Sequence, residues 1–342
     1  MPADRAFPRG FSLGVGLTNA CDLSCAHCYR SPGEDALRAS DVLRAALALP
    51  TRAVNFGTGE NGLHPDFAPL VRALRLRGID VAMTTNGRSA ASLEDEDLAR
   101  FGDVEFSIDY PTPHAHDRAR APGNWALVER QMERCSALGV RTTIVAVMMS
   151  TNYRELPALA AIARERGALV RVNVYQSVRT DAFSLSYEQF WEGWRRLLEV
   201  ADLVTCGEPI LRAVLGLRRD PGAGCGVETV RLTPRGSVVP CVYGADAPAG
   251  IDDLVRLGGA IVEEESFRAA RTVPAPCTDC PHVETCGGGC AVRRSQAGGI
   301  GLPDPYCPFV RGEVVSLAWR RAAKVLDQPK TASACTTTFR PR

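Results

Sequence analysis

The chain has 342 residues, 45% of them hydrophobic, and a formal net charge of +1 from 40 basic and 39 acidic side chains. So even a balance excludes a global field for nucleic acid or an acidic membrane surface, and the absence of a basic N-terminal segment before a long apolar run, or of eighteen unbroken apolar residues anywhere, argues against a signal peptide or a membrane span. The expected location is therefore the cytosol, where thiols stay reduced, so thirteen cysteines point to metal or catalysis rather than to disulfides.

Over the first 180 residues short apolar runs alternate with helical periodicity. Strands are expected at "FSLGVGLT", "AVNFGTG", "DVAMTTNG", "DVEFSIDY", "TTIVAVMMS" and "VRVNVYQSV". Helices are expected at "DFAPLVRALRLRG", "NWALVERQMERCSALG", "YRELPALAAIARERG" and "YEQFWEGWRRLLEV". Six strands with crossover helices imply an α/β fold with a parallel sheet, either open and doubly wound or curled into a partial barrel. From Cys225 to Cys307 glycine, proline and cysteine dominate, which suggests a small loop-rich domain held by something other than a core. The expected organisation is a first domain over 1–205, a bridge over 206–224, a cysteine domain over 225–310, and a C-terminal part over 311–342. That last part reads as an amphipathic helix, "EVVSLAWRRAAKVL", followed by a disordered polar tail.

The densest chemistry lies in "CDLSCAHCYR", where Cys21, Cys25 and Cys28 follow the first strand. A four-iron cluster has four corners, so three thiolates leave one iron open to a ligand that is not protein. Loops after strand ends are where parallel α/β folds build active sites. The alternatives are a three-cysteine zinc site or unrelated thiols. The segment "GTGENG" also has the form of a dinucleotide fingerprint, but "LHPDF" delays the helix and the third strand ends in "TTNG" rather than in an acidic residue.

Cys21, Cys25 and Cys28 resemble the signature of radical S-adenosylmethionine (SAM) enzymes, and other positions match that pattern in order. The resemblance implies a partial (β/α)6 barrel and places His27 near the adenine. It further implies that Gly57, Thr58, Gly59 and Glu60 hold the methionine amino group, that Asn86 ends the third strand in "TTNG", that Ser107 contacts the ribose, that Arg120 of "HDRAR" meets the SAM carboxylate, and that Asn152 lies on the adenine side. Thr58 and Asn61 depart from the usual pair of glycines and the proline; a threonine with ordinary backbone angles is expected to present its amide all the same.

Further on come Cys225, Gly236 and Cys241, then Cys277-x2-Cys280-x5-Cys286-x3-Cys290, then Cys307. Seven thiolates nearly fill two four-iron clusters, with structural zinc as the competing reading of the C-x2-C pair. This arrangement resembles the SPASM extension of radical SAM enzymes. The resemblance assigns Cys225, Cys241 and Cys290 to a first auxiliary cluster and Cys277, Cys280, Cys286 and Cys307 to a second, so that three [4Fe-4S] clusters and SAM are the implied cofactors. Cys206 is a candidate eighth ligand, whereas Cys135 reads as buried and inert and Cys335 as no ligand.

The chemistry so implied is reductive cleavage of SAM, followed by hydrogen abstraction for an oxidative change in a ribosomally made peptide, by crosslinking or side-chain oxidation. The alternative substrate is a small molecule such as an aminocyclitol, sugar or tetrapyrrole; a non-enzymatic electron carrier leaves the incomplete triad unexplained. A flavodoxin- or ferredoxin-type reductant is implied, together with a separate leader-peptide-binding protein, because only twenty residues precede Cys21. Val242, where sulfatase-oxidising relatives carry aspartate, counts against that activity. Tyr110, His114, Tyr175 and Arg179 fall near strand ends and are candidate substrate-side residues, with Asn173 and Gln176 beside them.

Overall fold

The computed structural model describes residues 10–218, 224–323 and 337–342. Its strands are β1 (Phe11–Val15), β2 (Thr51–Phe56), β3 (Asp80–Thr85), β4 (Asp103–Ser107), β5 (Thr142–Met148), β6 (Leu169–Val174), β7 (Ala201–Cys206), β8 (Thr229–Leu232), β9 (Val238–Val239) and β10 (Thr337–Pro341). They form one sheet in the order β7-β10-β6-β5-β4-β3-β2-β1-β8-β9. Strands β1 to β6 pair in parallel with their sequence neighbours, as a βα repeat requires.

A single cavity touches Arg231 of β8, Gly14 of β1, Asn55 of β2, Thr84 of β3, Ser107 of β4, Val145 of β5 and Arg171 of β6. A flat sheet cannot gather seven adjacent strands around one space. The sheet therefore curls into a partial barrel, which decides between the two arrangements that periodicity leaves open.

The outer helices form where apolar residues recur at helical spacing. Phe67–Arg75 buries Phe67, Leu70, Val71 and Leu74 on one stripe. Tyr187–Leu198 starts at a capping box, with Ser186 Oγ accepting from Gln189 N at 3.2 Å and Gln189 Oε1 from Ser186 N at 2.9 Å. It buries Phe190, Trp191, Trp194, Leu197 and Leu198.

Inside the barrel the alternation is polar. Asp103, Glu105 and Ser107 share one face of β4, and Arg171 and Asn173 share one face of β6. Arg171 pairs with Glu105 across the interior, Thr84 Oγ1 donates to Glu105 at 2.6 Å, and Thr143 Oγ1 donates to Asp103 at 3.0 Å. Burial, then the charge of Glu105, pushes the Asp103 carboxyl up to about 8.

The C-terminal part differs from expectation. Residues 313–320 are not helical; Leu203 N donates to Arg320 O at 2.8 Å and Ala322 N to Leu203 O at 2.9 Å, so the segment bonds to the edge of β7. The expected disordered tail ends in "TTFRP", which forms β10 between β6 and β7, antiparallel to both. Two threonines and a fully buried Phe339 suit a half-buried pleated surface, and that outweighs the polar character of the stretch before them. Cys335 and residues 219–223 of the bridge lie outside the described residues. Among the described residues, no helix is long and apolar enough to cross a membrane.

Candidate active site

The loop after β1 carries the cysteine triad and is tied down from inside. Arg30 Nη1 donates to Asn19 O at 2.6 Å and Nη2 to Leu23 O at 3.2 Å, while Cys28 N closes a turn on Cys25 O at 3.1 Å. The loop after β2 packs directly on it. Glu60 N donates to Ala20 O at 2.8 Å, and Gly59, at φ 64°, sits so close that a Cβ there would lie 2.2 Å from Thr18 O.

Thr58 corrects one expectation, for its φ of 67° lies in the left-handed region that favours glycine. Its hydroxyl pairs with Tyr29 Oη at 2.8 Å, and this contact, absent from a glycine, holds the loop in that conformation. Tyr29 in turn meets Tyr243 edge-on at 4.8 Å, joining the triad loop to the segment just after Cys241.

Glu60 is buried and accepts from Asn86 N at 3.0 Å, from Ser89 N at 2.7 Å and from Thr85 Oγ1. Burial raises its carboxyl above the usual range, against the pull of these donors. Asn86 also donates through Nδ2 to Asp22 Oδ1 at 2.9 Å, so the end of β3 braces both loops. Across the cavity Arg120 grips Asp109 through Nε at 3.0 Å and Nη2 at 2.6 Å, and His27 Nε2 lies 3.3 Å from the same carboxylate. Although burial alone would raise Asp109, Arg120 and then His27 hold it below the carboxylate range. Burial lowers His27 despite Asp109.

His27, Gly57, Thr58, Gly59, Glu60, Asn86, Ser107 and Arg120 thus line one cavity together with Cys21, Cys25 and Cys28. Tyr175 and Gln176 line it too; Tyr175 Oη is spent on Thr180 O at 2.8 Å. Four sequence candidates stand elsewhere. Asn152 lies behind the wall, its Nδ2 bonded to the carbonyls of Asp109 and Val147 at 2.9 Å each and its Oδ1 to Met149 N at 2.8 Å, so it braces backbone instead of facing the cavity. Tyr110 pairs with Thr151 Oγ1 at 2.8 Å outside the cavity, His114 is exposed in the first turn of the helix Pro113–Ala119, and Arg179 is exposed on a loop.

Cys225 and Cys241 stand on the wall shared by the barrel cavity and a second one, which Cys286 and Cys290 also line. Cys277, Cys280 and Cys286 stand within electrostatic reach of one another, and Cys307 within reach of Cys286: after burial, Cys286 and Cys280 raise Cys277, Cys280 raises Cys286, and Cys286 raises Cys307, which reaches about 11. Thiols pushed up in this way keep their protons at neutral pH unless a metal cation replaces them. Asp304 orders this region, accepting from Cys290 N at 2.7 Å and Tyr306 N at 3.1 Å, while its own carbonyl takes Cys307 N at 3.0 Å. Arg293 links Asp304 to Glu208, which follows β7. Cys206 faces away, donating to Glu208 O at 3.6 Å, and lines neither cavity. Among the described residues no three cysteine, histidine or carboxylate side chains are placed to hold a single metal ion, the arrangement a zinc knuckle requires.

Sequence reading passed over Tyr29, Asn55, Glu105, Arg171, Arg231 and Tyr243. Parity was the available signal for Glu105 and Arg171, which stand two residues from Ser107 and Asn173 on strands whose other face is apolar.

Known proteins extend this picture. The mycofactocin maturase MftC of Mycobacterium ulcerans (strain Agy99) is 26% identical over 333 residues, covering 85% of this chain and 86% of the relative. A PqqA peptide cyclase of Xanthomonas axonopodis pv. citri is 26% identical over 345 residues, covering 88% of each. Native anSMEcpe with bound AdoMet shares the fold at a TM-score of 0.66 and 17% identity, over 89% of this chain and 95% of that one. Streptococcus suis SuiB bound to the precursor peptide SuiA does so at 0.62 and 18%, over 86% and 74%. Residues 15–162 match the family model of the Radical SAM superfamily, a span that contains the triad, the Gly57–Glu60 loop, Ser107 and Arg120.

Proposed function

We propose that this chain is a radical SAM enzyme that carries out an oxidative modification of a ribosomally made peptide, a reading supported by relatives named as a maturase and a peptide cyclase. The observation that carries the reading is the convergence of three thiols, the Glu60 loop and Arg120, held by Asp109, on one cavity that Cys225 and Cys241 also line. In this reading Cys21, Cys25 and Cys28 hold a [4Fe-4S] cluster with one open iron. Cys225, Cys241 and Cys290 hold a first auxiliary cluster, and Cys277, Cys280, Cys286 and Cys307 a second. The donor set fits: the thiols are buried or half-buried, and Asp304 orders the backbone at Cys290 and Cys307. When bound, SAM and its cluster supply one-electron cleavage of the sulfonium to methionine and a hydrogen-abstracting 5'-deoxyadenosyl radical.

The chain's own part is positioning and exclusion. The amides of Thr58 and Gly59, with Glu60, would receive the methionine end of SAM, Ser107 and His27 would bind its nucleoside, and Arg120, already oriented by Asp109, would bind its carboxylate. Val145 and Val147 give the opposing wall an apolar surface that keeps water from the reacting centre. Cys225 and Cys241 would hold the first auxiliary cluster at the wall of this cavity, and when bound that cluster would supply an electron acceptor. A flavodoxin- or ferredoxin-type protein supplies the initiating electron, and a separate protein presents the peptide leader.

The test is anaerobic reconstitution followed by assay of 5'-deoxyadenosine with and without candidate precursor peptides. Peptide-dependent mass loss of two hydrogens supports the reading. 5'-Deoxyadenosine formed with no change in any peptide, but with conversion of a small cyclic polyol, would replace the peptide with a small molecule.

A further inference from the structure

Four guanidinium groups face the barrel cavity. Three are committed: Arg30 to the carbonyls of Asn19 and Leu23, Arg120 to Asp109, and Arg171 to Glu105, whose carboxylate also takes the Thr84 hydroxyl. Arg231 differs, for among the described residues no carboxylate pairs with it. A cation left without a counter-ion in a partly enclosed space is costly, and an arriving anion recovers that cost.

Its placement is specific. Arg231 on β8 pairs in register with Gly14 on β1, which pairs with Asn55 on β2. The side chain lies flat across β1: a Cβ on Gly14 would stand 2.1 Å from Arg231 Nη1, 2.4 Å from Cδ and 2.9 Å from Cζ. Gly14 has no positive φ, so its backbone does not call for glycine. What the missing side chain provides is room for the guanidinium to reach over the strand toward β2. Around the same space the side-chain oxygens of Asn55, Asn173 and Gln176 are buried without a hydrogen-bond partner. A ligand that satisfies the site must bring an anionic acceptor for Arg231 and N–H donors for the amide oxygens. A carboxylate next to peptide N–H groups has both, and the planar fork of Arg suits it.

We propose that Arg231, cradled over Gly14, is a substrate subsite that recognises a carboxylate on the segment of peptide entering the barrel, whether an acidic side chain or a free C-terminus. This rests on the peptide reading above.

The test uses the reconstituted enzyme with SAM and three fluorescein-labelled heptapeptides of one parent sequence: a central Glu with an amidated C-terminus, a central Gln with a free C-terminus, and a central Gln with an amidated C-terminus. Binding is read by anisotropy. The expected result is that at least one carboxylate peptide binds about ten-fold more tightly than the neutral one, and which one identifies the source. Arg231→Gln brings all three within about two-fold of each other with the SAM dissociation constant unchanged. Gly14→Ala, which keeps the charge but displaces it, also abolishes the preference.

Equal binding of the three peptides by the unaltered enzyme overturns the subsite, as does a preference that survives Arg231→Gln. A ten-fold loss of SAM affinity in Arg231→Gln overturns it differently, by assigning the guanidinium to SAM's own carboxylate. In each of these cases continued 5'-deoxyadenosine formation leaves the enzyme reading standing, whereas its absence from the unaltered enzyme removes both.

Discussion

Replacing Arg293 by methionine isolates the clamp that joins the cysteine region to the barrel. Arg293 donates to Glu208 through Nη1 at 2.8 Å and Nη2 at 2.6 Å, and to Asp304 through Nη2 at 2.7 Å and Nε at 3.1 Å. The side chains of all three are 5% exposed or less. Methionine fills much of the space against Phe190 and Tyr306, so the dominant loss is that two buried carboxylates lose their cation. Breaking a buried pair in this way costs about 3–5 kcal/mol. With an unfolding entropy of about 2.1 cal/mol/K per residue, a chain of 342 residues loses roughly 4–7 °C in Tm, treating it as one cooperative unit. Anaerobic calorimetry on the reconstituted protein measures this directly. Adding Glu208→Gln to Arg293→Met removes one of the stranded charges and should return about 1–3 °C. The reasoning is refuted if Arg293→Met melts within 1 °C of the parent, or if the double variant melts below the single one.

Other consequences can be measured separately. Gly59→Ala drives a Cβ into the carbonyls of Thr18 and Ala20 at a positive φ, so SAM affinity, read by equilibrium dialysis, should fall at least about ten-fold while iron content holds. Cys206→Ala should retain the full iron content, because its thiol lines neither cavity; a loss of about four irons would restore it as a ligand. Asp103 holds its proton in the folded state up to about pH 8, whereas in the unfolded chain it ionises near pH 4. Between those values the folded state binds the extra proton, so stability falls as pH rises, by up to about 1.4 kcal/mol per unit. Asp103→Asn should flatten the decline in urea midpoint between pH 6 and 8.5, and an equal decline in both proteins would count against it.

The sequence makes most of the barrel legible because its strands and helices repeat with clean periods. All six of the expected strands appear, as do the helices at Phe67–Arg75, Asn124–Ala137, Leu156–Glu165 and Tyr187–Leu198. The triad and Glu60 are legible from local spacing, since one loop sets their geometry. Contacts between distant strands are not. Nothing near Arg231 in sequence announces that Gly14, more than two hundred residues earlier, would make room for it. Thr58 hides a left-handed backbone behind a β-branched side chain because its support, Tyr29, comes from another loop. Asn152 has the right position in sequence for a ligand contact but turns its amide to backbone. The C-terminus misleads in a further way: residues 313–320, part of the expected helix, are not helical, Arg320 and Ala322 bond to Leu203 of β7, and "TTFRP" finds an open place between two strands that no local pattern specifies.

The central claim is that Cys21, Cys25 and Cys28 hold the one cluster with an iron open to SAM. The most direct measurement counts iron and sulfide in the anaerobically reconstituted protein and in a triple alanine variant at those positions, and assays 5'-deoxyadenosine in both after reduction. About twelve irons falling to about eight, with 5'-deoxyadenosine lost, is the expected result. Full SAM cleavage by the triple variant, or zinc found in place of iron, would contradict it.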